Sequence, residues 1–259
     1  FAAGLAVRPA DVEQVQAVVR LANEHGVALW PISQGRNNGY GGRSPRVAGT
    51  VVIDLSRMNR VLEIDAVSGT ALVEPGVRFA DISDAVRASG APFWTSAPDL
   101  SWGSVIGNAL ERGLGYTEYG EHAAHIAGME VVLPDGDVVR TGMGAMEGSV
   151  AWQLYKSGFG PSVDGLFSQS NLGIVTKLGI WLMPAPEAWA AVDIAVPAFD
   201  DLAALIDTVR PLVLDRTIQS TVVLGDPLGA AAFSGPRTDW QEDRGLLEPG
   251  VLDRIMEHY

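Results

Sequence analysis

The sequence predicts an α+β fold, because hairpins and amphipathic helices are mixed along the chain without the regular alternation of a βαβ winding. Apolar residues recur at helical spacing after Asp11 and again over 79–89. Short β-rich segments separated by turn residues surround these helices, and Pro134-Asp135-Gly136 is typical of a hairpin turn. The 259 residues are 47% hydrophobic, so the chain can bury a sizeable core.

The elements follow in order from local signals. Asp11 is a predicted N-cap, Val12, Val15 and Val19 form one helix face, and Gly26 is a predicted stop. The segment 27–32 is predicted to be a buried strand. The other predicted elements are helices over 79–89 and 200–209 and strands over 50–55, 60–65, 70–74, 129–133, 137–141, 173–183 and 192–196. Pro184-Ala185-Pro186 predicts a boundary between domains at 1–184 and 185–259.

Composition excludes several classes of function. A net charge of −13 argues against nucleic-acid binding, which needs a basic face. The absence of cysteine excludes disulfides, thiolate catalysis and zinc–cysteine sites. No apolar run approaches the ~18 residues of a membrane span, so we expect a soluble protein, with the cytoplasm favoured over the periplasm. The chain opens without Met and ends inside a predicted helix, so we expect a piece of a longer polypeptide.

The most informative motif is PISQGRNNGYGG, residues 31–42. Glycine permits positive φ, so successive N–H groups can point into one concavity and bind phosphate. The loop has neither the Rossmann spacing nor a Walker A lysine. Alone, such a loop is more often a structural turn. Two further glycine-rich segments, 101–115 and 158–176, instead favour a ligand with a long footprint.

These motifs resemble the FAD-binding domain of the vanillyl-alcohol oxidase and p-cresol methylhydroxylase family. The resemblance covers roughly residues 31–184 and is carried by PISQGRNNGYGG, VEPGVRFADI, PDLSWGSVIGNALERGLGYTEYGEH, GMEVVLPDG, RTGMGA and GFGPSVDGLFSQSNLGIVTKLGIWLMP. It implies a PCMH-type FAD-binding domain of two α/β subdomains. The residues after Pro184 are then the start of a substrate-covering cap domain.

The resemblance also implies which residues contact FAD. The backbone of the first loop would hold the pyrophosphate, with Asn37 and Gly39 at its centre. A second group would run past the pyrophosphate and flavin, and a third would lie near the adenine-ribose end. The residues of the three groups, in that order, are Ser33, Gly35, Arg36, Asn37, Asn38, Gly39 and Gly41; Pro98, Ser104, Gly107 and Asn108; and Gly173, Ile174 and Val175.

Two residues are the predicted catalytic groups. Tyr40 stands at the family's GYGG tyrosine, which helps to bind the phenolic oxygen; a phenol O–H there stabilises a developing phenolate. Its structural alternative is an aromatic side chain packed on the loop. Glu121 stands where vanillyl-alcohol oxidase has an aspartate near flavin N5, credited with proton handling, and burial would raise the pKa of such a carboxyl. The alternative is a surface glutamate that caps a helix.

Other polar residues have weaker assignments. His122 and His125 have the i, i+3 spacing of a metal pair, but no third ligand is convincing, so we predict no metal site. His122 is assigned to the flavin site or the residues behind it, and His125 to a structural role. Arg112 either neutralises phosphate or pairs with a surface carboxylate.

The implied reaction is FAD-dependent oxidation of para-substituted phenols, such as 4-alkylphenols and vanillyl-type alcohols. A hydride passes from the benzylic carbon to flavin N5, which leaves a p-quinone methide. The alternatives are flavin-dependent oxidation of a non-phenolic alcohol or 2-hydroxy acid, and a non-catalytic flavin-binding subunit. The resemblance further implies a phenolic substrate, a cytochrome or O2 as the electron acceptor, and a homo-oligomer.

Overall fold

The computed structural model describes residues 3–36, 42–158, 160–196 and 198–258. They form two compact units, 1–221 and 222–259. The helices are α1 (Val12–His25), α2 (Phe79–Ser89), α3 (Val105–Leu110), α4 (Leu202–Leu214), α5 (Pro227–Ser234) and α6 (Pro249–His258). The strands are β1 (Leu5–Val7), β2 (Leu29–Ile32), β3 (Val51–Asp54), β4 (Val61–Asp65), β5 (Thr70–Val73), β6 (Phe93–Trp94), β7 (Ile126–Val132), β8 (Val138–Arg140), β9 (Ile174–Trp181) and β10 (Met183–Pro184).

The first sheet is parallel, in the order β1-β3-β2. Helix α1 follows β1 and begins where the Asp11 carboxylate accepts the Gln14 N–H at 2.8 Å. It ends at Gly26, whose φ of 62° is the left-handed conformation that favours glycine. Val15 and Val19 of this helix pack with Ile53 of the central strand. The predicted helix, its N-cap and its stop are confirmed.

The second sheet is antiparallel, in the order β4-β5-β9-β7-β8. Its inner strands share one hydrophobic core with α2 and α3, to which Ile82, Ile106, Met129 and Leu178 contribute side chains that are at most 2% exposed. The predicted hairpin at Pro134-Asp135-Gly136 is the β7–β8 turn. A parallel and an antiparallel sheet, each packed with helices, confirm the α+β class.

Some elements differ from the sequence predictions. The predicted strand over 192–196 is wrong: this segment has no regular secondary structure. Its Val192 and Ile194 are 74% and 59% exposed, because no described strand lies beside them to complete a ladder. The sequence analysis also missed β1, β6, α3 and α5, whereas the helix predicted at the end of the chain is confirmed as α6. The chain divides into compact units after Thr221; the boundary at 184/185 stays a prediction about domains.

The second unit, 222–259, has its own small core. Val251 and Ile255 of α6 pack with Ala231 of α5. Helix α5 begins at Asp226, whose carboxylate accepts the Gly229 N–H at 2.6 Å. In neither unit do the described residues include a helix long and apolar enough to cross a membrane.

Candidate functional site

Helix α3 is the place where the three glycine-rich segments meet. It lies inside the second segment, and both of the others contact it. A Cβ added to Gly107 would lie 2.5 Å from Ser33 Oγ, so the first loop packs directly on this helix. The Gln169 N–H donates to the Leu110 carbonyl at 3.0 Å, which joins the third segment to the end of the helix.

The start of α3 is fixed by a cap and by the VEPG turn. Ser104 Oγ accepts the Gly107 N–H at 3.0 Å and donates to the Pro75 carbonyl at 2.7 Å. Gln34 of the first loop donates to the Gly76 carbonyl at 2.5 Å, so the loop is held on the same turn. Gly76 itself has no room for a side chain, since a Cβ would lie 2.7 Å from the Ser56 carbonyl oxygen. These contacts hold Ser33 and Gln34, at the start of the first loop, beside the helix.

The third segment contributes backbone to this region more than side chains. A Cβ on Gly173 would lie 2.5 Å from Val131 Cγ1, so glycine permits close approach to β7. Ile174 and Val175 are 9% and 4% exposed and belong to the two hydrophobic cores. Their side chains are therefore engaged in packing. Gln169, at a φ of 49°, turns the chain here.

An open cleft of about 360 Å³ lies at the first loop. Gly35, Arg36, Arg43 and Trp102 line it. Gly35 has a φ of 59°, which is the left-handed backbone conformation that favours glycine. Neither guanidinium forms an ion pair with a described carboxylate. Two cations beside a glycine-rich loop, neither paired with a carboxylate of the described residues, form a donor set suited to phosphate in a chain of net charge −13.

Behind α3, a buried histidine links this helix to Ser96, in the segment that precedes it. His122 Nδ1 lies 2.5 Å from Asn108 Oδ1, and Nε2 lies 3.0 Å from Ser96 Oγ. Ser96 Oγ accepts the Thr117 hydroxyl at 2.8 Å. Burial lowers the pKa of His122 to about 4, with a smaller contribution from His125. The imidazole is therefore neutral near pH 7 and has both ring nitrogens occupied.

Glu121 precedes the 3₁₀ turn His122–His125 and has an exposed side chain. Its backbone is well held: the carbonyl accepts the Ala124 N–H at 2.9 Å and faces His125 Nδ1 at 3.0 Å. His125 stacks on Tyr119 with ring centroids 4.1 Å apart. Lys156 donates to the Ala124 carbonyl, and its pKa is lowered by burial against the attraction of Asp164 and Glu121. The turn thus presents the Glu121 carboxylate from a fixed backbone position.

The structure brings many of the predicted cofactor residues together around α3. Ser33 and Ser104 contact Gly107, Asn108 follows in the same helix, and Gly35 and Arg36 line the adjacent cleft. Pro98 lies half-buried in the segment that leads to this helix. Asn37, Asn38, Gly39, Tyr40 and Gly41 lie outside the described residues, so their predicted roles stay predictions.

Several residues of this region were missed by the sequence analysis. Arg43, Trp102 and Gln34 stand within or beside the motifs, and their neighbourhood was a usable signal. Ser96 and Thr117 gave none, because short hydroxyl side chains occur throughout the sequence. Arg112 is exposed at a φ of 55° and pairs with no described carboxylate. In the described part of the chain, no group of three or more His, Asp or Glu side chains could hold a metal.

Comparison with known proteins identifies the family to which the chain belongs. The profile of a family described as "FAD binding domain" matches residues 3–142. The flavoprotein subunit of 4-cresol dehydrogenase (hydroxylating) from Pseudomonas putida is 45% identical over 97% of this chain and 49% of its own length. The chain therefore spans about half the length of this relative.

Two solved structures share the fold closely. A p-cresol methylhydroxylase with bound substrate matches with a TM-score of 0.88 and 40% identity, over 98% of this chain and 50% of that protein. The 4-ethylphenol oxidase from Gulosibacter chungangensis, in complex with isoeugenol, matches with a TM-score of 0.88 and 43% identity, over 98% and 49%. The predicted resemblance and the predicted fold are confirmed.

The residues present fit the cofactor that this family binds. The glycine-rich loop and two arginines that pair with no described carboxylate suit a pyrophosphate, and Gly107 and Gly173 let Ser33 and β7 pack closely around this region. The fit thus stands on the geometry of this chain as well as on the comparison. The chain belongs to the FAD-binding domain family, as a PCMH-type flavoprotein domain whose cofactor is FAD.

Proposed function

We propose that the protein containing this chain oxidises para-substituted phenols, such as 4-alkylphenols and vanillyl-type alcohols, with FAD. One observation carries the proposal: two solved structures that match at a TM-score of 0.88 are named as enzymes of such phenols. The sequence supports the proposal with Tyr40 and Glu121, which stand at the two positions to which the resemblance assigns catalytic roles. Oxidation of a non-phenolic alcohol and a non-catalytic subunit are less well supported.

The chain's own residues would orient the substrate and handle charge. FAD, held by the first loop and α3, would supply a hydride acceptor, so that loss of a hydride from the benzylic carbon of the substrate could leave a p-quinone methide. Tyr40 would donate its hydroxyl to the phenolic oxygen and stabilise the phenolate, from which electron density assists loss of the hydride. Glu121 would exchange a proton with water that adds to the quinone methide. The fixed backbone of the 122–125 turn supports this role, since it limits where the carboxylate can reach.

Other residues would bind the cofactor. Arg36 and Arg43 would neutralise the pyrophosphate, and α3 with its packed glycines would hold the cofactor beside the first loop. The electron acceptor is either a cytochrome or O2. The relative from Pseudomonas is named as a flavoprotein subunit, which favours a partner subunit as acceptor. We also propose a homo-oligomer, on the resemblance alone.

Anaerobic reduction of the full-length protein tests the function. We expect 4-ethylphenol, p-cresol and vanillyl alcohol to bleach the flavin absorbance, whereas glycolate and D-lactate leave it unchanged. Tyr40→Phe should slow bleaching by phenols about 100-fold, the order expected for loss of one donor to a developing oxyanion. Tyr155→Phe is the matched control, because the same hydroxyl is lost from a side chain that is 59% exposed. An unbleached spectrum across the phenols would reject the proposal.

A further inference from the structure

A row of hydrogen bonds that is buried at its centre and half-buried at its ends runs behind α3 and takes no part in the proposed reaction. It consists of Thr117, Ser96, His122 and Asn108, joined at 2.8, 3.0 and 2.5 Å. Ser96 and His122 are 8% and 7% exposed. Burying a polar group costs free energy unless the group is hydrogen-bonded. A continuous row of hydrogen bonds therefore specifies one arrangement of its side chains, which apolar packing would not.

The direction of the row follows from what each atom can do. Asn108 Oδ1 can only accept, so His122 Nδ1 carries the hydrogen. The neutral ring then has an acceptor at Nε2, which receives the Ser96 hydroxyl, and Ser96 in turn receives the Thr117 hydroxyl. All donors therefore point towards Asn108. Since Oδ1 is held by His122, the amide cannot rotate by 180°, and its NH₂ group must face away from the imidazole.

Packing fixes the same two side chains in position. A Cβ on Gly113 would lie 2.5 Å from Asn108 Cγ, and one on Gly115 would lie 2.7 Å from His122 Nε2. The Phe79 ring lies 5.4 Å from the imidazole, centroid to centroid. The chain therefore has glycine at the two places where a side chain would displace the amide or the ring. Packing against Gly113 holds the Asn108 amide in place, and the hydrogen bond to His122 selects its orientation.

We propose that His122 is a positioning residue for the cofactor: it holds the Asn108 amide so that its NH₂ group is directed at FAD. The inference rests on the assignment of Asn108 as a cofactor contact, and it does not depend on which substrate is oxidised. In this role His122 positions another side chain; it neither binds a metal nor transfers a proton. Its consequence is energetic coupling between His122 and Asn108 in FAD binding.

A double-mutant cycle on the full-length protein tests this coupling. The apo forms of the wild type, His122→Gln, Asn108→Ala and the double variant are titrated with FAD, and binding is followed by quenching of flavin fluorescence. We expect each single variant to weaken FAD binding about tenfold, the value of one hydrogen bond lost. In the Asn108→Ala background, His122→Gln should have no further effect.

His125→Gln is the matched control, because it makes the same change in the same turn without contact to Asn108. We expect its FAD affinity to stay within twofold of the wild type. Far-UV circular dichroism and thermal melting of each apo form check folding. If His122→Gln does not fold, Ser96→Ala replaces it in the cycle, because it removes the hydroxyl that is bonded to His122 Nε2. We expect Ser96→Ala to weaken FAD binding less than His122→Gln does, and to have no effect in the Asn108→Ala background.

Two outcomes would overturn the inference. One is an unchanged affinity in His122→Gln. The other is the same loss in both backgrounds, which means that His122 supports the fold and not the amide. Failure of phenols to bleach the flavin would leave the cycle intact, so the inference and the proposed function fail separately.

Discussion

Ser33 and Gly107 are in direct contact, although one follows β2 and the other lies in α3. A Cβ on Gly107 would lie 2.5 Å from Ser33 Oγ and 3.4 Å from the Ser104 side chain. The helix and the first glycine-rich loop therefore touch through backbone and a single hydroxyl. This contact sets how closely Ser33 approaches α3. Glycine usually destabilises a helix interior, but here it is required because a larger residue would displace Ser33.

Gly107→Ala should weaken FAD binding about tenfold, because the new methyl group pushes Ser33 and the phosphate loop outward. Helix propensity alone would make the change favourable by about 1 kcal/mol, so a loss identifies the steric contact. FAD titration of the apo form measures it. Gly165→Ala is the control, since its Cβ meets nothing within 4 Å. Adding Ser33→Ala should restore part of the affinity; no recovery would contradict this explanation.

His122 should make the fold sensitive to acid. Its pKa falls from 6.5 to about 4 in the folded chain, chiefly through burial. Between these values the unfolded chain binds the proton and the folded chain does not, so stability falls as the pH is lowered from about 6.5 to 4. The loss amounts to roughly 3 kcal/mol at most.

Urea unfolding at pH 7 and pH 4.5 measures this effect as a difference between variants. The wild type should lose more stability over this interval than His122→Gln, which cannot take up the proton. Equal losses in the two proteins would show that the imidazole is not responsible.

Glu130 should be a main electrostatic support of the antiparallel sheet. Its carboxylate, 3% exposed, contacts Lys177 at 2.9 Å on β9 and Arg140 at 2.9 Å on β8. Burial alone would raise the pKa of Glu130, but the hydrogen bonds from Lys177 and Arg140 outweigh it and lower the pKa. The stabilisation is therefore present above the unfolded pKa of about 4.3 and is lost as the pH falls further.

Glu130→Gln should lower the free energy of unfolding by about 3 kcal/mol at pH 7, because it leaves two cations without their charge partner. Asp84→Asn is the control: it breaks the exposed Arg87–Asp84 pair, 76% and 72% exposed, and should cost less than about 0.5 kcal/mol. Chemical denaturation measures both. Similar values for the two variants would contradict the role of burial.

Arg36 and Arg43 should hold the cofactor by charge. Arg36→Gln and Arg43→Gln should each weaken FAD binding about tenfold at low salt, with a smaller difference at 0.5 M NaCl. FAD titration at two ionic strengths measures this. Arg87→Gln removes an arginine from the surface of α2 and should leave FAD affinity unchanged. A loss in the arginine variants that is independent of salt would point to packing.

Local patterns determined much of what the sequence could predict. The helix from Val12 to His25 was predictable because its cap, apolar face and stop are all encoded within it. The hairpin at Pro134-Asp135-Gly136 was predictable for the same reason. The segment 192–196 shows the limit: its alternating apolar residues satisfy the local rule, but a strand also requires a neighbour, which no local window contains.

The sequence by itself determined the α+β class, because periodicity and turn signals are short and contiguous. The family and FAD followed from the resemblance of its glycine-rich motifs to a known family. Only the tertiary structure decided which polar groups meet. His122 and Asn108 are 14 residues apart, and Ser33 and Gly107 are much farther, so their contacts depend on how α3 packs between the loops and the sheet. Packing also decided that Ile174 and Val175 direct their side chains into the cores. A motif fixes backbone and chemistry locally, whereas burial and the partners of each side chain are set by the whole fold.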